Sequence, residues 1–236
     1  MRALSIVHQR DSGSGVFARA AADRGDELVD WIPAAGPPPE LDGFGAALVF
    51  GGGMDVDQED RHPWLRGEKE LLRTLIDDRV PTLGVCLGAQ LLAEAAGGSV
   101  RRAAQPEIGW REVQLTQESA ADPVLGALPG RFEAFQWHHC EFTLPERAVA
   151  LAHSAVCLQV FRLRAAPTWG IQFHAEVTAE TVEEWLRDYA RDDDAVRAKL
   201  DRGTVLAHTQ REIGRWNELG TGVCRRFLER AAVTPE

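Results

Sequence analysis

The stretch PTLGVCLGAQLLAEAAGG, residues 81–98, decides the fold. Thr82 to Val85 is a short apolar run with strand character, and Cys86 follows it directly. Leu87, Leu91, Leu92 and Ala95 then recur at helical spacing, and Gly97-Gly98 stops the helix. Cys86 therefore stands where a strand turns into a helix. Gly84 and Gly88 flank it two residues away on either side. A nucleophile on such a turn needs small neighbours, because the backbone is cramped and a substrate must come close. The turn also sets the sulfur at a helix N-terminus, where backbone N–H groups and the helix dipole favour a thiolate. A buried structural cysteine is the bland alternative; the strand-then-helix context argues against it.

The same alternation continues outward. Ala3 to Val7, Leu28 to Ile32 and Ala46 to Phe50 read as strands, the last closed by Gly51-Gly52-Gly53. A Gly/Ser loop from Asp11 leads into an alanine-rich helix ending near Arg24. The Pro/Gly segment from Pro33 to Pro39 is a loop. Trp64, Leu65, Leu71, Leu72, Leu75 and Ile76 form a helical stripe that ends near Arg79, before Pro81. Strands alternating with helices imply right-handed crossovers and a parallel sheet. Residues 99–173 change character, with short strand-like runs at Glu112 to Leu115, Arg131 to Phe135, Ala148 to Ala152, Cys157 to Leu163 and Thr168 to Phe173. Thr178 caps a helix with Val182, Trp185, Leu186 and Tyr189 on one face. Asp192-Asp193-Asp194 interrupts it. Leu206, Ile213, Trp216, Leu219, Val223 and Phe227 then mark a helical tail, with Gly220-Thr221-Gly222 as its expected break. The tail packs either on the domain or on a second copy of the chain; the sequence leaves both open. The reading is a domain over 1–190 and a helical extension over 191–236.

Composition excludes several classes. A length of 236 residues, 44% of them hydrophobic, suits one sizeable α/β domain with an appendage. A formal net charge of −10 without a basic stripe argues against a nucleic-acid or membrane-surface partner. Cys86, Cys140, Cys157 and Cys224 are scattered with no C-x-x-C pair, so neither a metal site nor a disulfide framework is expected. The apolar run Ala3 to Val7 is too short for a signal peptide, and no run approaches membrane-spanning length, so a reducing cytoplasm is the expected setting.

A cysteine nucleophile needs a base, and the base needs an orienting group. His174 and Glu176 follow the apolar run Trp169 to Phe173, and at a strand end residues two apart share a face. His139 and Glu141 form a second His-x-Glu, and spacing alone does not separate the pairs. The triple glycine is a strand-to-loop turn or something more. It is not a phosphate-binding loop, since no Gly-Lys-Ser/Thr follows.

Residues 81–98, Gly51-Gly52-Gly53-Met54 and the segment Gly170-Ile171-Gln172-Phe173-His174-Ala175-Glu176 together resemble the class I, triad-type glutamine amidotransferases, over roughly residues 45–180. As a stand-alone domain the chain resembles the glutaminase domain of GMP synthase. The resemblance implies a three-layer, flavodoxin-like, mostly parallel sheet with flanking helices. It implies Cys86 as nucleophile, His174 as general base and acid, and Glu176 as orienter. It implies an oxyanion hole built from the backbone at Gly52, Gly53 and Leu87, although Gly53 stands where the family has proline or serine. Gln90 matches a position that helps hold substrate glutamine, and equally suits an exposed helix face. His138 aligns with the family's aromatic-His-Gly-Asp segment as a substrate-contacting or structural residue, but His139 and Cys140 replace the Gly and Asp. His8, His62, His153 and His208 have no evident companions, and the three remaining cysteines read as structural.

The implied activity is cysteine-dependent hydrolysis of the glutamine side-chain amide through a γ-glutamyl thioester, with no cofactor. The chain carries no second catalytic module, so ammonia passes to a separate synthetase subunit or water is the only acceptor. The second case makes it a γ-glutamyl peptide or γ-glutamyl amine hydrolase. A catalytically inactive binding or regulatory domain is a further alternative. A cysteine-elbow family related to intracellular protease I is a last one, though its members carry His directly after the nucleophile where Leu87 stands.

Overall fold

The computed structural model describes residues 1–197 and 199–233. Its strands are β1 (Arg2–Ile6), β2 (Glu27–Trp31), β3 (Phe44–Val49), β4 (Thr82–Val85), β5 (Val100–Leu115), β6 (Arg131–Phe142), β7 (Ala148–His153), β8 (Leu158–Leu163) and β9 (Thr168–Ile171). Its helices are α1 (Val16–Asp23), α2 (Trp64–Asp77), α3 (Leu87–Ala95), α4 (Ala179–Asp188), α5 (Asp193–Arg197) and α6 (Arg202–Ala232). One nine-stranded sheet runs in the order β2-β1-β3-β4-β9-β8-β7-β5-β6. From β2 to β9 the pairings are parallel; from β9 to β6 they are antiparallel.

Strand alternation splits the core in two. In β3, Ala46 and Leu48 join one apolar cluster, and Ala47 and Val49 join the other. The first cluster seats α1, α4 and α6 through Phe17, Val182, Leu186, Trp216, Phe227 and Leu228. The second seats α2 and α3 through Leu65, Leu72, Leu75, Leu91 and Leu92. Helices on both faces explain why β3 and β4 read as continuous apolar runs.

Three expectations are corrected. The predicted strands at 112–115 and 131–135 are the ends of a long hairpin arm, β5 with β6, paired from Val100↔Phe142 to Gln114↔Arg131. Its outer part carries exposed Arg101, Arg102 and Gln105, which gave no apolar signal. Second, α6 is unbroken through Gly220-Thr221-Gly222. A Cβ on Gly220 would stand 1.9 Å from the Ala175 carbonyl oxygen, so that glycine allows a close approach between backbones and does not end the helix. Third, two of the histidines do have partners: His8 pairs with Glu68 at 2.8 Å and His208 with Glu133 at 2.9 Å. The tail packs on its own domain, because Trp216, Val223 and Phe227 lie in the sheet's first cluster. No helix among the described residues is long and apolar enough to cross a membrane.

Candidate active site

Parallel pairing brings distant residues together. β3, β4 and β9 are neighbours, with Val49↔Gly84 and Gly84↔Gly170 in register. Their C-terminal ends deliver, side by side, the triple glycine, Cys86 and the loop that carries His174. Ligand sites of open α/β sheets lie at this edge. The Cys86 amide donates to the Ile171 carbonyl at 2.8 Å, which ties the turn to the strand before His174.

Cys86 itself has φ 52° and ψ −109°, left-handed backbone that costs a residue with a Cβ about 1–3 kcal/mol. The flanking glycines permit it. A Cβ on Gly88 would lie 2.1 Å from the Val49 carbonyl oxygen, and one on Gly84 would lie 2.6 Å from the Gly88 carbonyl group. Helix, strand and turn thus close on one another more tightly than any side chain allows.

His174 and Glu176 are buried, and His174 Nδ1 lies 2.8 Å from Glu176 Oε1. The Cys86 side chain lines the same cavity as the imidazole, and its sulfur donates to the Trp137 carbonyl oxygen at 3.8 Å. Trp185 meets the His174 ring edge-on, with centroids 4.7 Å apart. Burial pulls the His174 pKa down, but the charges of Glu176 and Cys86 outweigh it and lift the pKa to about 10. The ring is therefore poised as imidazolium beside sulfur. Burial pushes the other thiols, Cys140, Cys157 and Cys224, up to about 12, so they are inert protonated groups.

The raised value has a testable sign. The folded pKa of about 10 lies above the ordinary 6.5, so the imidazolium's contribution to stability is complete below about 6.5 and disappears as pH rises through about 10. The alkaline limb of kcat/KM is expected near pH 10; a limb near 7 would show that the pair does not hold the proton.

Backbone clamps hold the His174 loop. The His174 amide donates to Phe135 O at 2.9 Å. Trp216 Nε1 donates to His174 O at 2.9 Å, Val16 N to Glu176 O at 2.9 Å, and Asn217 Nδ2 to Val177 O at 2.7 Å. The Ala175 carbonyl sits against Gly220. Every carbonyl from 174 to 177 is thus held by α6 or the start of α1.

Cys86 and His174 open into one cavity of about 440 Å³. Its wall includes Gly52, Gly53, Gln9, Trp137, His139, Trp185 and Tyr189, and five aspartates, Asp11, Asp188, Asp192, Asp193 and Asp194. No lysine or arginine lines it among the described residues. A separate hollow of about 260 Å³, around Trp110 and Trp216, contains none of Cys86, His174 and Glu176.

The other candidates from sequence fall in varied places. Leu87 is the first residue of α3, so its N–H lies outside the helical ladder, and no partner for it or for Gly52 N–H is found among the described residues. Gly53 lines the cavity, and its N–H donates to Gln9 Oε1 at 2.9 Å. Gln90 is corrected. It is buried, not exposed, does not line the cavity, and donates to Cys140 O and Gln172 Oε1, each at 3.3 Å. His138 is turned out of the cavity wall, with Nδ1 on Cys140 O at 3.0 Å and Nε2 3.4 Å from buried Glu107. Its neighbours Trp137 and His139 line the wall instead, as strand alternation requires. The rival pair separates: His139 bonds Asp55 at 3.0 Å, while Glu141 pairs with Arg101 at 2.9 Å.

The family model for class I glutamine amidotransferases matches residues 26–191. The glutamine amidotransferase-like protein YfeJ of Salmonella typhimurium is 30% identical over 189 residues, 78% of this chain and 79% of that protein. A glutamine-hydrolysing GMP synthase subunit of Natronomonas pharaonis is 32% identical over 82% of this chain and 100% of its own length. A glutamine amidotransferase crystal structure from Thermotoga maritima superposes with a TM-score of 0.86 at 28% identity, covering 99% of each chain.

Proposed function

The chain belongs to the class I glutamine amidotransferase family, and from that premise we propose that it hydrolyses a γ-glutamyl amide at Cys86 and passes the ammonia to a partner synthetase. One observation carries the reading: a single buried imidazole bonded to Glu176 shares a substrate-sized cavity with the Cys86 side chain.

In this reading the Cys86 sulfur attacks the γ-carbonyl carbon. The carbonyl oxygen becomes an oxyanion facing the N–H groups of Gly52 and Leu87. His174 gives its proton to the departing nitrogen, and a γ-glutamyl thioester remains. His174, now neutral, takes a proton from water as it attacks the thioester, and glutamate leaves. Glu176 keeps the ring oriented and its positive charge compensated. The relatives named as GMP synthase subunits support a partner synthetase as the acceptor of the ammonia. The test is release of glutamate and ammonia from glutamine, together with covalent capture of Cys86 by a glutamine-like chloroketone. No turnover of any γ-glutamyl compound and an unlabelled Cys86 would overturn the reading.

A second reading, direct hydrolysis of γ-glutamyl amines, is favoured by the cavity wall. The α-ammonium of a glutamyl group needs one carboxylate; of the aspartates at the opening, Asp194 is paired with Arg102 and Arg197, and Asp11 and Asp193 stand beside three aromatic rings. Such a wall suits a second cationic group. A γ-glutamyl diamine is then expected to give about tenfold higher kcat/KM than a neutral γ-glutamyl alkylamide of equal length, equivalent to about 1.4 kcal/mol. Asp193→Asn should narrow that ratio. Equal rates for the two substrates would leave the synthetase-linked reading alone.

A further inference from the structure

His8 and Glu68 are buried titratable groups that the triad does not use. Their side chains have no exposure at all. His8 Nε2 lies 2.8 Å from Glu68 Oε1, and His8 Nδ1 lies 3.1 Å from the Gly51 carbonyl oxygen. A carbonyl oxygen only accepts, so Nδ1 carries hydrogen, and the pKa of His8, raised by its contact with Glu68, favours a second hydrogen on Nε2. Trp64 stacks on it, with centroids 5.7 Å apart and planes at 27°. Burial pulls the pKa of His8 down, and Glu68 more than reverses the shift. Nothing in amide hydrolysis explains a buried cation at this place, except what it touches.

It touches the back of the glycine loop. A trans peptide is planar, and its C=O and N–H point in opposite directions. No cis peptide occurs among the described residues. With the Gly51 carbonyl held by His8, the Gly52 N–H of the same peptide unit points the other way. That side holds the nucleophile: a Cβ on Gly51 would be 3.6 Å from Cys86 Cβ and 3.1 Å from His174 Cε1, and Gly52 lines the cavity.

We propose that the His8–Glu68 pair positions and polarises the Gly51–Gly52 peptide, so that the Gly52 N–H is a fixed, strengthened donor to the oxyanion. The inference rests on the amide-hydrolysis reading above. A charge-assisted hydrogen bond to a carbonyl draws electron density from the amide nitrogen and strengthens its N–H as a donor. The proton stays on His8 throughout. Glu68 keeps the ring charged, and Trp64 keeps it in plane. His8 and Glu68 are positioning residues, since neither meets substrate.

The test separates chemistry that needs the oxyanion hole from chemistry that does not. Glutamate γ-semialdehyde adds the Cys86 sulfur to form a tetrahedral hemithioacetal and needs the donor; iodoacetamide alkylates the same sulfur without it. Loss of a whole oxyanion donor costs about 10²–10³-fold in kcat, so His8→Leu is expected to lose about 100-fold in kcat and in aldehyde affinity. Its KM and its alkylation rate should stay within about threefold of the parent. His8→Asn, whose amide can overlay Nδ1 and donate to Gly51, should recover about tenfold of the loss. Glu68→Gln, equal in size and less of a threat to folding, should show the same split at about tenfold. Variants that keep kcat within threefold, or whose alkylation falls in step with hydrolysis, overturn the proposal. A parent chain that forms no hemithioacetal and hydrolyses no γ-glutamyl amide overturns the functional reading first, and this inference with it.

Discussion

Cys86→Ser is expected to reduce γ-glutamyl hydrolysis by about 10⁴-fold while leaving the fold intact. The serine hydroxyl occupies the same turn, and the left-handed φ of 52° strains either side chain alike. Its thermal midpoint should therefore stay within a few degrees of the parent. What changes is the nucleophile. At the edge of α3 the sulfur faces an imidazole lifted to about pKa 10, an arrangement that suits a thiolate–imidazolium pair. A hydroxyl is far harder to ionise, and a protonated His174 cannot take its proton. Steady-state release of glutamate, with circular dichroism as the folding control, decides it. Activity within tenfold of the parent would remove Cys86 from the reaction.

Gly220→Ala is expected to have a large effect although it lies outside the cavity. The new methyl would sit 1.9 Å from the Ala175 carbonyl oxygen, and both partners are backbone, so no side chain can swing aside. Either α6 lifts from the sheet or the 174–177 loop moves. Overpacking of this kind costs about 1–3 kcal/mol. A displacement of about 1 Å at the base costs about 100-fold in rate. Both losses should appear together in kcat and in the denaturation midpoint. Trp216→Phe, which removes the hydrogen bond to His174 O and part of a buried ring packed on Trp110, Phe132 and Phe173, should lower both, each by less than Gly220→Ala. A fully active Gly220→Ala would show that the loop does not depend on the helix.

These positions mark where the sequence could and could not be read. The turn at Cys86 was legible because its causes are local: an apolar run, two glycines and a helical stripe lie within a single stretch. The glycine loop and the His174 segment were legible as motifs because each stands at a strand end. Their convergence follows from the parallel pairing of β3, β4 and β9. The wall of the cavity was hidden. Trp185 and Tyr189 fit the apolar stripe expected after Thr178, yet they line the opening. Trp137 and His139, not His138, face the cavity, because the strand's phase was set by a hairpin arm that its polar residues concealed. Gln90 looked like a surface or substrate position, and it is spent on Cys140 and Gln172. Trp216 and Asn217 read as ordinary tail residues, since nothing local tells that a carbonyl from another element will meet them. The same holds for His8, whose partner Glu68 lies on a separate helix.

Chain order gives the hold of α6 on the His174 loop a bearing on biosynthesis. Thiol, imidazole and carboxylate all leave the ribosome before Trp216, Asn217 and Gly220 do. A nascent polypeptide thus displays its full reactive set while the carbonyls of the loop still lack their brace. Competence is expected only once the later helix docks.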